Sequence, residues 1–442
     1  MNSYQSLLRT GKMLRHLIPV LPAAFAVASL PAQVAVETIP ATTIKVQTEP
    51  FVFYELQSVS GLTSTPVGKW KVGDGSIQQW VIENSAEAAS HQVVSTPIQN
   101  LNTLLNTIVE KHGIPAVSAL VFKDGKVQAM GATGTRCKGV VAPVTLFDKW
   151  HNGSVTKGMT ATLAAILVEE GLIAWETTLG EVFPGRVAAM ADGWSQVTLK
   201  QLLSNTSGAP GSLSNEIWTA VWNYEGLPRD ARLFLIDLLT PTPLAYAPGT
   251  SYAYSNAGFS IAGAMLEKVT GIDWETLMHN KLFAPLGMHD AGFGVAATPR
   301  MLNQPYGHGG NLAQMTIYEP SRISDNPPAI GPSATAHSSL VDMARYLELH
   351  LRGERGETGL LLQPSSFDTL HTFVDANSRY ALGWLQHTSG WLSHTGSNTY
   401  NYANVWIAPA NNWACVVYLN YGGSNAFEIS DEVVVQLINH HM

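Results

Sequence analysis

The stretch His151-Asn152-Gly153-Ser154-Val155-Thr156-Lys157-Gly158-Met159-Thr160 decides how the rest of the chain is interpreted. Its serine stands three residues before a lysine, where an apolar helical pattern begins. Positions i and i+3 share a helix face, so the Lys157 amine is expected beside the Ser154 hydroxyl. The stretch therefore predicts a serine and a lysine in contact at the start of a helix.

Such a pair suits nucleophilic catalysis. Burial disfavours the ammonium form and lowers the pKa of a lysine, whose amine then takes the serine proton. The helix N-terminus also favours negative charge at Ser154. By itself S-x-x-K is expected about once by chance in a chain this long. A helix-capping Ser154 with a solvated Lys157 therefore stays open as an alternative.

A second cluster is Tyr252-Ala253-Tyr254-Ser255-Asn256, which precedes an apolar helical pattern. A phenol beside an ammonium holds a lowered pKa and passes a proton, which gives Tyr254 a candidate role. The Asn256 amide is placed to bond both the lysine and a substrate carbonyl. The alternative is a loop tyrosine and an asparagine that caps the helix.

The third cluster, Leu392-Ser393-His394-Thr395-Gly396-Ser397-Asn398, ends a strand pattern. Gly396 would let a substrate approach the backbone closely. The Ser397 peptide N–H, paired with that of Ser154, would form an oxyanion hole. An ordinary Gly-Ser turn with His394 at the surface is the alternative.

Composition excludes several classes of function. The chain has 442 residues, 45% hydrophobic and 13% charged, which is typical of a globular protein with a large core. A net charge of -8 without a basic cluster argues against a nucleic-acid partner. The sequence contains neither G-x-S-x-G nor H-E-x-x-H, which disfavours an α/β-hydrolase and a metal-dependent hydrolase.

Residues 1–30 are typical of an export signal. Basic residues precede the mostly apolar run Leu17–Leu30, which contains the small-residue cleavage pattern Ala26-Val27-Ala28. An uncleaved anchor is the alternative and would be the one route to membrane association. We expect a periplasmic or secreted protein, in which Cys137 and Cys415 pair or stay free thiols.

Residues 37–95 are interpreted as an N-terminal extension. Strand-like segments occur at Thr43–Gln47, Phe51–Leu56 and Gln78–Glu83. They form either a small β module or an extended leader on the main body. Ser85–Ser95 is predicted to be a linker.

Residues 97–442 have the pattern of an α+β domain. An amphipathic helix over Ile98–His112 is followed by a hairpin from Ala116 to Ala132. Strands are predicted again at Ala381–Leu385 and in three further segments, Trp391–His394, Ala403–Ala408 and Ala414–Asn420, followed by a helix over 426–440.

Taken in order, the three clusters match S-x-x-K, Y-x-N and K/H-T-G. The chain resembles the serine β-lactamase and penicillin-binding-protein-like family, and most closely class C β-lactamases, D,D-peptidases and related esterases. The resemblance covers about residues 97–442. It implies an antiparallel sheet flanked by helices, a helical cluster between the first two motifs, and an active site between sheet and cluster.

The resemblance also implies roles and a reaction. Ser154 would be the nucleophile, Lys157 its general-base partner, and Tyr254 a proton shuttle. Asn256 would orient the lysine and the substrate. The remaining site residues would bind substrate on an edge strand or supply the oxyanion amide: His394, Thr395, Gly396 and Ser397. The reaction would pass through a serine ester that water hydrolyses, without metal or organic cofactor.

Two departures bear on the substrate, which would be a small molecule or a peptide. The third motif begins with His394 instead of lysine, and a mostly neutral histidine attracts a substrate carboxylate less. Asn205 stands where the family often has histidine. The combination of Tyr254-Ser255-Asn256 with His394-Thr395-Gly396 looks more like D,D-peptidases and esterases than efficient β-lactamases. The alternative function is a penicillin- or peptide-binding sensor without turnover.

Overall fold

The computed structural model describes residues 36–39, 43–60, 63–82 and 90–442. The predicted leader over residues 1–30 lies outside the described residues. The chain divides into two compact units, which are described separately. The N-terminal unit runs to Asn100 and includes Lys126–Gln128, and the main unit holds the remaining residues to Met442.

The N-terminal unit is built from short antiparallel strands. One sheet has the order Val36–Ile39, Thr43–Gln47, Ile77–Val81. In the other, Val52–Ser60 pairs with Thr63–Pro66, Lys71–Val72 and Ser90–Pro97. The short strand Gln99–Asn100 belongs to neither of these sheets. The core of this unit comprises Ile44, Val46, Tyr54, Leu56 and Trp80.

The linker predicted over Ser85–Ser95 is wrong where the structure describes it. Ser90–Pro97 is a strand paired antiparallel with Val52–Ser60, and residues 83–89 lie outside the described part. The alanine-rich start of the segment suggested a linker. Val93 and Val94, whose β-branched side chains suit a pleated sheet, lie at its other end.

The main unit is α+β, as predicted, with an antiparallel central sheet. Its strands follow the order Leu385–Gln386, Leu392–Ser397, Tyr402–Ala408, Trp413–Leu419, Ala116–Lys123, Lys126–Gly134. Helices cover both faces, so Trp413–Leu419 is buried at every residue. Helices Asn102–His112 and Ala426–His441 pack on one face, and Leu340–Glu354 packs on the other.

The segment between the first two motifs is helical, as the resemblance implied. Its helices are Leu179–Val182, Leu199–Leu203, Asn215–Trp222 and Pro228–Leu239. Helix Asn256–Thr270 follows the second motif. The remaining helices are Trp274–Met278, Ala284–Leu286, Gly331–Ala334 and Pro364–His371, with a π-helical turn at His279–Phe283 and 3-10 turns at Gly153–Val155, Pro184–Ala189, Trp194–Gln196, Pro328–Ile330 and Pro409–Asn411. The other strands are Trp150–His151, Gly292–Phe293, Gly307–Asn311, Gln314–Tyr318 and Ala336–Ser338.

Helix Thr156–Glu169, here called the nucleophile helix, is buried on all sides through Leu167. Small residues allow this. A side chain at Gly158 would meet the Tyr346 hydroxyl at 3.0 Å and the Trp384 ring at 3.3 Å. The alternative interpretation of Lys157 as a solvated helix residue is therefore wrong.

The strand predicted over Ala381–Leu385 is shorter than expected. Only Leu385–Gln386 is a strand. Gly383 has φ of 79°, and a Cβ there would lie 2.6 Å from Gly158 Cα. The chain bends at this glycine to pack on the nucleophile helix, which interrupts the extended backbone.

The structure also shows the state of the two cysteines. Cys137 and Cys415 are buried free thiols, so they do not pair.

The helices within the described residues are too short, or not apolar enough, to cross a membrane.

Candidate active site

The loop before the nucleophile is shaped by its glycine. Strand Trp150–His151 ends, and Gly153 with φ of 50° turns the chain into the 3-10 turn that carries Ser154. The Thr156 hydroxyl donates to the Gly153 carbonyl at 2.6 Å and accepts the Ala336 N–H at 3.1 Å. Ser154 remains partly exposed, so a ligand can reach its hydroxyl.

Lys157 is fully buried one turn further on. Its Nζ atom lies 3.2 Å from Ser154 Oγ, 2.6 Å from Asn256 Oδ1 and 3.0 Å from the Ser333 carbonyl oxygen. Burial holds the pKa of Lys157 well below its ordinary value. The spacing therefore places serine and lysine together, as the sequence predicted.

The partners of Lys157 Nζ determine which position its lone pair occupies when the amine is neutral. Two carbonyl-type oxygens, Asn256 Oδ1 and the Ser333 carbonyl, take two N–H bonds. A neutral amine then has its lone pair left for the Ser154 hydroxyl proton. This arrangement suits a general base.

Tyr254 completes the contact with the nucleophile but differs from the expectation in its pKa. A hydrogen bond joins its side chain to Ser154, and Lys157 Nζ lies 4.5 Å from the centre of its ring. Burial raises the pKa of Tyr254, whereas we expected an ammonium neighbour to lower it. Because the buried Lys157 favours the neutral form, no fixed charge stabilises a phenolate, and the hydroxyl keeps its proton.

Asn256 is positioned by Ser255, within the second motif, and by the distant Asn205. Ser255 caps helix Asn256–Thr270 by accepting the Gly258 N–H at 3.2 Å. Its own N–H donates to Asn205 Oδ1 at 2.9 Å. Asn205, with φ of 58°, thus holds the turn before the helix that aims Asn256 at Lys157.

The third motif lies on strand Leu392–Ser397, which is partly an open edge. Its partner Leu385–Gln386 pairs only with Leu392 and Ser393. Thr395 and Ser397 on the remaining stretch are partly exposed. This edge suits the predicted role of the motif in substrate binding.

His394 is buried, not a surface residue. Its Nδ1 lies 2.6 Å from the Thr395 carbonyl oxygen and its Nε2 lies 3.0 Å from the Tyr380 hydroxyl. Burial, together with the nearby Lys157, lowers the pKa of His394 to about 3. The ring is therefore neutral. The sequence predicted a mostly neutral His394 from the ordinary pKa of histidine, and the lowered pKa of the buried ring strengthens that expectation.

Glycine is needed at position 396 for a reason different from the predicted approach of a substrate. A Cβ at Gly396 would lie 2.0 Å from the Asn152 carbonyl oxygen and 2.6 Å from the Ser154 nitrogen. A Cβ at Gly153 would lie 2.3 Å from the Ser397 nitrogen. The two glycines allow the nucleophile loop and the edge strand to touch, which brings the Ser154 and Ser397 peptide groups together.

Sequence reasoning missed two contributors to the site. The Ser333 carbonyl is a backbone atom, so no residue pattern marks it. The Tyr380 hydroxyl donates toward His394. Tyr380 lies just before a segment predicted as strand, and its separation from His394 along the chain gave no signal of the contact. Asn205 was noted only as a departure, although an asparagine at positive φ is a signal of a special turn.

No metal site accompanies these residues in the part of the chain that the structure describes. Within those ranges, no group of three or more His, Cys, Asp or Glu side chains is arranged to hold a metal ion. The expectation that the reaction needs no cofactor stays a prediction.

The chain is similar to known proteins over most of the main unit. A family model described as Beta-lactamase matches residues 101–440. Penicillin-binding protein 4 of Amycolatopsis lactamdurans is 29% identical over 242 residues, which cover 54% of this chain and 60% of that protein. The chain thus aligns with less than two thirds of the length of this curated relative.

Solved structures share the fold at low sequence identity. The octameric penicillin-binding protein homologue from Pyrococcus abyssi has a TM-score of 0.64 at 21% identity, covering 76% of both chains. A D-stereospecific amidohydrolase from Streptomyces sp. has a TM-score of 0.58 at 20% identity, covering 75% of this chain and 96% of that one. With the family model matching most of its length, this chain belongs to the serine β-lactamase and penicillin-binding-protein-like family.

Proposed function

We propose that this chain is a serine hydrolase that cleaves an ester or amide through an acyl-enzyme. The observation that carries the proposal is the buried Lys157 amine 3.2 Å from Ser154 Oγ, with two carbonyl oxygens at its other positions. A lysine held neutral beside a hydroxyl is equipped to remove its proton.

The proposed reaction begins as Lys157 takes the Ser154 proton and Oγ bonds to the substrate carbonyl carbon. The carbonyl π electrons move to oxygen, which is stabilised by the peptide N–H groups of Ser154 and Ser397. The proton then passes from Lys157, through the Tyr254 hydroxyl, to the leaving nitrogen or oxygen as its bond to carbon breaks. Water then attacks the carbonyl carbon of the resulting serine ester, the bond from that carbon to Ser154 Oγ breaks, and the proton lost by the water returns to Oγ as the acid product leaves.

The proposed substrate carries no carboxylate next to the third motif. The neutral His394 ring, with both nitrogens engaged, offers no positive charge there. The rings of Tyr252 and Tyr254 pack against Tyr380 with centroids 5.7 and 6.1 Å away, which favours an apolar or aromatic group. The fold likeness to a D-stereospecific amidohydrolase supports an amide as the substrate.

Export forms part of the proposal, on the basis of the basic and apolar leader. The proposed partner is a small-molecule or peptide substrate. The negative net charge argues against nucleic acid.

The direct test is intact-protein mass and nitrophenol release after mixing with a penicillin and, separately, with p-nitrophenyl acetate. Wild type, Ser154→Ala and Lys157→Ala are compared. Release of nitrophenol that both substitutions abolish would support a hydrolase. A lasting penicillin adduct on Ser154 without turnover would instead support the sensor function, and identical behaviour of all three proteins would refute catalysis by this site.

The substrate class has its own test. We expect kcat/KM for p-nitrophenyl butyrate to exceed that for the succinic acid mono-p-nitrophenyl ester by about 10-fold or more, because desolvating a carboxylate without a cationic partner is unfavourable. These two esters have acyl chains of similar length. Equal or reversed values would show that the site accommodates the charge.

A further inference from the structure

Three buried side chains behind the catalytic residues have no role in the proposed reaction. They are His151, Asp325 and Asn398, with relative exposures of 7%, 6% and 4%. Buried polar side chains nearly always have a hydrogen-bond partner. Their contacts lead to the two backbone segments that carry the Ser154 and Ser397 peptide groups.

His151 supports the nucleophile loop. Its Nδ1 accepts the Gly153 N–H at 3.0 Å, so a neutral ring carries its proton on Nε2. Nε2 lies 2.7 Å from Asp325 Oδ1, although the N–H does not point straight along that line. The carboxylate thereby favours the tautomer in which Nδ1 is free to accept.

The same carboxylate oxygen reaches the turn after the edge strand. Asn398 Nδ2 lies 3.3 Å from Asp325 Oδ1. Asn398 Oδ1 accepts the N–H groups of Tyr400 and Asn401 at 3.2 and 2.9 Å. Asp325 Oδ1 is therefore a shared anchor, through His151 for one segment and through Asn398 for the other.

These segments touch each other, since a Cβ added at Gly153 would lie 2.3 Å from the Ser397 nitrogen. A small shift of either would move a peptide N–H away from the substrate oxygen. We propose that His151, Asp325 and Asn398 are positioning residues that hold the Ser154 and Ser397 peptide groups in register for the negatively charged oxygen. This inference rests on the proposed hydrolase function.

The chain offers matched variants for each anchor. His151→Phe keeps a ring but removes the acceptor for the Gly153 N–H, whereas His151→Asn keeps an acceptor near the Nδ1 position. Asp325→Ala removes the anchor, whereas Asp325→Asn keeps an oxygen at Oδ1 and changes Oδ2, which has no hydrogen-bond partner in the described structure. Asn398→Ala tests the second segment without altering His151.

The experiment measures kcat and KM with p-nitrophenyl acetate, and the Kd of phenylboronic acid, which forms a tetrahedral adduct with a serine nucleophile. We expect His151→Phe, Asp325→Ala and Asn398→Ala to lower kcat by about 10- to 100-fold with KM within about 3-fold, since one oxyanion donor is worth roughly 100- to 1000-fold. The boronic acid Kd should rise by a similar factor. His151→Asn and Asp325→Asn should stay within about 3-fold of wild type.

The outcomes separate this inference from the proposed function. If Ser154→Ala retains turnover, the proposed function fails. If Ser154→Ala is inactive but His151→Phe, with an unchanged Tm, keeps wild-type kcat and boronic acid affinity, only the positioning role fails. If His151→Phe does not fold, Asn398→Ala and the two conservative variants decide: a wild-type Asn398→Ala, or conservative variants as impaired as the alanine ones, overturns the inference.

Discussion

At the scale of single residues, the Tyr254 hydroxyl is the clearest candidate for the proton carrier. We predict that Tyr254→Phe lowers kcat by roughly 100-fold, because the hydroxyl that joins Ser154 is lost while the ring beside Lys157 remains. Steady-state kinetics with p-nitrophenyl acetate measures this. Tyr252→Phe is the control and should stay within about 3-fold. A mild effect of Tyr254→Phe would assign proton transfer to Lys157 alone.

Gly153 allows a second prediction. Gly153→Ala should lower kcat by about 100-fold or more, because its Cβ would lie 2.3 Å from the Ser397 nitrogen and force the oxyanion peptides apart. Gly125→Ala is matched, since Gly125 also has positive φ but no atom within 4 Å of the added Cβ. We expect Gly125→Ala to cost about 1–2 kcal/mol of stability with normal turnover. Equal turnover in the two variants would contradict this account.

At the scale of elements, a buried ion-pair network joins three helices of the main unit. Arg232, fully buried, contacts the carboxylate of Glu267 at 2.5 Å and that of Glu275 at 2.9 Å. Glu267 belongs to the helix that begins at Asn256. The network therefore fixes the helix that aims Asn256 at Lys157.

We predict that Arg232→Met lowers the free energy of unfolding by about 3–5 kcal/mol, since it leaves the buried Glu267 carboxylate without its ion-pair partner. Urea unfolding measures the change. The double variant Arg232→Met with Glu267→Gln should recover part of the loss. Arg186→Met is the control, because the exposed Arg186–Asp237 pair should contribute no more than about 1 kcal/mol. Similar losses from both single variants would refute the network's role.

Motif spacing predicted the elements around the site better than the contacts within it. Ser154 and Lys157 could be paired from helix periodicity alone, and strand Trp413–Leu419 was evident from its continuous apolar run. The Ser333 carbonyl and the Asp325 anchor could not be predicted. Their positions depend on long-range packing, and neither leaves a periodic signal in the sequence.

At the scale of the whole molecule, buried neutral histidines make stability depend on pH. Burial lowers the pKa of His308 and His337 to about 4, that of His394 to about 3, and that of His350 in the same direction. The unfolded chain binds protons on these rings below about pH 6.5, and the native protein does not. Stability is therefore full above pH 6.5 and is lost as the pH falls.

We predict that the free energy of unfolding drops by several kcal/mol between pH 6.5 and 4.5, since each of the four histidines contributes on the order of 1 kcal/mol per pH unit. Asp342 opposes this trend, because burial raises its pKa to about 6 and the native state binds that proton. The four histidines outweigh it. Urea unfolding across this range measures the slope, and a flat profile would contradict the assignment of neutral buried histidines.

The strand order of the central sheet has a consequence for the timing of folding. Trp413–Leu419 pairs directly with Ala116–Lys123, although the two strands lie near opposite ends of the main unit's sequence. Contacts this distant along a chain form late and slowly. The early hairpin therefore lacks its neighbour in the sheet until the strand from the far end of the unit has reached it. Since the Ser397 strand joins the sheet through that same neighbour, the Ser154 and Ser397 peptide groups come together only after this last pairing has formed.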